Sequence, residues 1–145
     1  MAAKLKVMLW VVLLGLAIYP TGLSAMSMLL SVAGSLLGIR DQYVGPIWIG
    51  GVALYRLAFF FGTGFVVGRK LTHRDFTFPV IVGAVLALIL MGAETFLTVW
   101  VSVLRGTRFG LSLFKPNLVW VVPGFVLQAG LAALGGWVAQ RKKTG

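Results

Sequence analysis

No charged residue falls between Lys6 and Arg40. Few folds accept so long a charge-free run, and three more apolar runs follow it. Residues 46–68 are apolar except for Arg56 and are closed by Arg69 and Lys70. Residues 78–104 are apolar except for Glu94. Residues 117–140 contain Gln128 and end at Arg141, Lys142 and Lys143. At 1.5 Å per residue, each of these three runs is long enough to cross about 30 Å of hydrocarbon with some tilt. Hydrophobic residues make up 59% of the 145, and charged residues only 11%. A soluble domain of this size could not hide that much apolar side chain, whereas a bilayer can. The expected fold is an all-α integral membrane protein, one transmembrane domain over 1–145, with spans at about 5–30, 46–68, 78–104 and 117–140.

The first span is the awkward one. The run from Lys6 to Arg40 is too long for one straight crossing and too short for two. Pro20 removes a helix hydrogen bond and crowds the preceding turn, so the first helix is expected to kink there. The remainder, to about Ile39, is expected to form a helical extension at the outer surface. Ser24, Ser27, Ser31, Gly34 and Gly38 recur at spacings of three and four, which makes a small-residue face suited to a neighbouring helix. A secretory signal is the rival reading of this segment, with Lys4 and Lys6 before an apolar core and cleavage after Ala25. It is weakened by Leu23, which is large where a small residue is wanted.

The balance of 13 Lys and Arg against 3 Asp and Glu would suggest nucleic acid in a soluble protein. Here the cations stand at the ends of apolar runs, where they meet lipid phosphate and set topology, so no nucleic-acid partner is expected. Four spans put Lys4, Lys6, Arg69, Lys70, Arg74, Arg141, Lys142 and Lys143 on one side. Arg40, Arg105, Arg108 and Lys115 fall on the other. The richer side is expected to be cytoplasmic, with both termini there, in a multi-pass protein of the cell membrane. Trp10 and Trp137 fall near the inner ends, and Trp48, Trp100 and Trp120 near the outer ends, as interfacial belts require.

Arg56, Glu94 and Gln128 stand at matching depths. Arg56 lies 13 residues before Arg69, about 20 Å from that boundary. Gln128 lies 13 residues before Arg141, also about 20 Å, and Glu94 lies 15 residues after Pro79, about 22 Å. Pro20, 14 residues after Lys6, reaches the same layer at about 21 Å. Gly83, Ala87, Met91, Glu94, Thr98 and Ser102 form one helical stripe, and Gly124, Gln128, Ala132, Gly135 and Ala139 another. Polar groups on small-residue stripes are expected to face other helices, because a central charge facing lipid costs several kcal/mol. Arg56 and Glu94 lie on adjacent antiparallel spans with opposite sign, so they are expected to pair, with Gln128 adding donors and acceptors.

Two uses of such a pair compete. One is a lock that fixes which helices or subunits meet. The other is an ion or substrate pathway, since ionisable groups within membranes often mark one. A proton carrier needs a carboxylate free to accept a proton, and one pinned by a guanidinium is poorly suited. The lock is therefore the favoured reading.

No catalytic set emerges. There is no cysteine and a single histidine, which leaves no thiolate or histidine cluster for a metal, and no cofactor is expected. His73, Arg74 and Asp75 echo a kinase catalytic loop without its other motifs, so Asp75, like Asp41, is read as a turn or cap residue. The segment 104–117 carries Arg105, Arg108 and Lys115 with no acid, which suits snorkelling to phosphate or contact with anionic headgroups or a partner loop. The chain is expected to be a non-enzymatic subunit or partner of a larger membrane complex. The alternative is a small homo-oligomeric transporter or channel using Glu94 and Arg56.

Overall fold

A computed structural model describes residues 1–39, 41–71, 73–106 and 115–141, with the backbone alone at 41–44, 98 and 115–120. The described residues form four helices and no strand. These are α1 (Ala2–Leu37), α2 (Asp41–Lys70), α3 (Thr77–Leu104) and α4 (Lys115–Arg141). Each is long and apolar enough to cross a membrane. Helices suit that solvent because every backbone donor and acceptor must find its partner within the segment.

The helices outrun the expected spans. α1 continues on both sides of Pro20 as one helix of 36 residues, about 54 Å long. A hydrocarbon core of about 30 Å holds roughly 20 of those residues upright. α1 stops at Gly38, which takes φ 60° and ψ 33°. Ile39 then donates its N–H to the Gly34 carbonyl at 3.0 Å. A left-handed residue with that return bond is a standard helix stop, and glycine adopts it without strain. α2 starts before Pro46, and Pro123 lies within α4.

The strongest contact is between α2 and α4. It is built on absent side chains. A methyl group at Gly64 would run into the Ala132 carbonyl, and one at Gly135 into that of Phe61. A methyl at Gly68 would sit 2.6 Å from the Gly136 carbonyl oxygen. Lipid tails are as apolar as leucine, so burial of apolar area does not draw these helices together; close van der Waals approach does. α3 joins through Pro79 and Gly83, which meet Gly136 and Ala132. α1 packs on α2 and α3, with no contact to α4 among the described residues.

Lys4, Asp75 and Gln140 meet at one end of the bundle, here called the near end. Lys4 Nζ lies 2.5 Å from Asp75 Oδ2. The Gln140 side chain accepts from the Asp75 N–H at 3.1 Å and donates to its carbonyl at 2.9 Å. Asp75 Oδ1 accepts from the Thr77 and Phe78 N–H groups, satisfying donors left open at the start of α3. The start of α1, the α2–α3 connection and the end of α4 are thus tied together.

Where side-chain burial is described, it stops halfway along the bundle. Among the described residues every buried position lies at or on the near side of its helix's midpoint: Val11 to Tyr19, Phe60 to Leu71, Phe78 to Leu90, and Gln128 to Gln140. The small-residue face of α1, expected to pack on a neighbour, lies beyond that line. Ser24 and Ser31 are exposed, and nothing stands within 4 Å of where a Gly34 side chain would begin.

Candidate functional site

Counting along each helix puts Arg56 and Tyr19 at the midpoints of α2 and α1, and Glu94 about 5 Å beyond the midpoint of α3. Their side chains meet. An Arg56 terminal nitrogen donates to Glu94 Oε1. Arg56 Nε donates to the Tyr19 hydroxyl at 2.8 Å, and that hydroxyl donates on to Glu94 Oε1 over a longer 3.4 Å. The Arg56 guanidinium also lies 5.8 Å from the centre of the Tyr19 ring. One phenol therefore bridges cation and carboxylate, and three helices share the cluster.

Tyr19 is itself held from two sides. Its ring packs edge-on to Phe59 at 5.0 Å and tilted to Tyr55 at 5.6 Å. Tyr55 reaches across to α1, its hydroxyl 3.0 Å from the Ile18 carbonyl and 3.1 Å from that of Tyr19. Gly22 makes this approach feasible, since a methyl there would collide with the Tyr55 hydroxyl. Phe60, Leu86, Ala87 and Leu90 close the near side of the cluster. The cluster is partly open: the Glu94 side chain is 46% exposed and that of Arg56 31%.

Gln128 sits at the midpoint of α4 and is buried, but no hydrogen bond among the described residues joins it to Arg56 or Glu94. It lies on the α4 face that carries Ala132, Gly135 and Ala139. Arg105 is exposed at the end of α3. Arg108 lies outside the described residues, and at Lys115 only the backbone, the first residue of α4, is described. Trp10, Trp48, Trp100 and Trp137 are all exposed. No group of three or more metal-ligating side chains occurs among the described residues.

The participant that sequence reasoning passed over is Tyr19. The signal was present: it lies 13 residues after Lys6, the same count that separates Arg56 from Arg69. Pro20 drew attention to the break rather than to the hydroxyl beside it. The arrangement can hold a guanidinium and a carboxylate in fixed register within a low-dielectric layer and present half of that pair outward.

Compared with known proteins, the chain matches no family model, no curated protein and no solved structure.

Proposed function

We propose that this chain is a non-enzymatic subunit of a larger membrane complex, and that the open side of the Arg56–Glu94–Tyr19 cluster is where another membrane protein docks. The observation that carries this is the exposure of the pair near the helix midpoints. Charge presented to lipid at that depth costs several kcal/mol, whereas apolar side chains there cost nothing. A partner helix with a polar side chain would cover the exposed part of the cluster.

A second support is the unused small-residue surface. Gly34, Gly92 and Gly124 have nothing within 4 Å of their missing side chains. Within lipid, small residues serve close helix contact, and these find none among the described residues. The placement in the cell membrane with cytoplasmic termini rests on the Lys and Arg asymmetry. A cysteine at His73 should then resist an impermeant thiol reagent that labels one at Arg105.

Native mass spectrometry of the protein taken from its own membrane in mild detergent tests the reading. A heteromer of fixed stoichiometry is the expected result. A homodimer would transfer the cluster to the transporter reading, and a bare monomer would contradict both.

A further inference from the structure

A second site lies at the near end, outside the polar layer. An open cavity of about 290 Å³ is lined by Arg74, Phe76, Trp137, Gln140 and Arg141. We propose that it binds the phosphate of an anionic phospholipid headgroup.

Among the described lining residues, the charged side chains of this cavity are both cations. Arg74 and Arg141 both border it. The adjacent acid, Asp75, is committed elsewhere, one oxygen to Lys4 and the other to the start of α3. The start of α3 and the end of α4 both lie close by, and their dipole contributions, about 0.3–1 kcal/mol each, oppose one another. That leaves the two guanidiniums as the charged groups of the described lining, and their planar fork suits a phosphate better than an ammonium would.

The walls point to lipid rather than to free phosphate. Gln140 is buried and fixed on the Asp75 backbone, giving a rigid polar floor. Phe76 and Trp137 are about half exposed and add an aromatic wall. Arg141 stands over the Trp137 ring at 5.2 Å, a cation–π contact that holds the charge beside that wall. Free phosphate has no use for an apolar wall, but the glycerol and first acyl carbons of a phospholipid do. The cavity also lies where the apolar spans give way to charge, the level of the headgroups.

Trp137 is the reporter. With Trp10, Trp48, Trp100 and Trp120 replaced by phenylalanine, the protein is reconstituted in phosphatidylcholine vesicles. These contain an equal fraction of brominated phosphatidylglycerol or brominated phosphatidylcholine. Brominated phosphatidylglycerol should quench Trp137 more strongly, a comparison that needs no change at the cavity. Arg74→Gln and Arg141→Gln should each reduce the apparent preference about fivefold, the worth of one cation near an anionic surface. Arg105→Gln, at the opposite end of α3, should leave it unchanged. Equal quenching by the two lipids would overturn the proposal. So would an equal effect of Arg105→Gln, which would mark diffuse attraction. Loss of the preference in millimolar inorganic phosphate would also overturn it, showing a site for free phosphate.

Discussion

A methyl group added at Gly64 would strike the backbone of α4, while one added at Gly92 would meet nothing within 4 Å. The same residue type thus does opposite things at these two positions. In the near half, glycines let α2, α3 and α4 touch at backbone distance, and the Lys4–Asp75–Gln140 tie closes the end. In the far half the helices present Met28, Leu36, Leu54, Phe96, Trp100 and Val126 outward. Lipid covers such side chains as well as protein does. Covering the Arg56–Glu94 pair, which sits where the described burial stops, would cost lipid several kcal/mol. Among the described residues, buried positions are thus confined to the near half, and the charged pair stands at its edge.

The largest effect should come from Gly64→Val. No flexible neighbour can yield to it, so α2 and α4 must separate, with a loss of about 3 kcal/mol or more. Gly92→Val should hardly change the Tm in detergent. Equal losses at the two positions would erase the distinction between the halves. Next come Arg56→Ala and Glu94→Ala. Each leaves a charge near the bilayer centre without its ion-pair counterpart, and a charge there is worth about 2.5–3.5 kcal/mol on insertion scales. The double variant should lose less than the sum, and strict additivity would show the two residues to be uncoupled. Tyr19→Phe removes the bridging hydroxyl and should cost about 1 kcal/mol.

The smallest effect concerns the near-end tie. Lys4 first, and then the Thr77 hydroxyl, hold the Asp75 carboxyl well below the usual carboxylate range. A group with a depressed folded-state pKa stabilises above its unfolded value, near ~3.9, and that stability drains away as pH falls further. The Tm should therefore be insensitive to this group between neutral pH and about pH 5, and should drop below about pH 4. Asp75→Asn should lower the Tm at neutral pH and flatten the acid limb. An unchanged acid limb would place the pH dependence on another group.

The four helices were legible because apolar length and flanking charge are local properties of the sequence. Depth and sign also bring Arg56 and Glu94 together, and the structure has them hydrogen-bonded. Tyr19 was less legible, since a tyrosine in an apolar run reads equally as packing. The Gln140–Asp75 clip was not legible at all, because it joins residues 65 apart through the shape of a connection. Nor could periodicity separate the halves. The stripe containing Gly34 and the step from Gly64 to Gly68 look alike in sequence. A helical repeat identifies a face, but which face meets a neighbour is decided by how the four helices diverge.

The proposed docking site requires that protein, not lipid, cover α3 beside Glu94. The most direct measurement places a photo-crosslinking residue at Leu97, one turn beyond Glu94, and in a second variant at Ile81 in the near half. The two positions share α3 and are 59% and 50% exposed. Irradiation in the native membrane should join Leu97 to a single, different membrane protein, in a yield that falls when Glu94 is replaced by alanine. Ile81 should give lipid adducts alone. Lipid adducts alone at both positions would contradict the account.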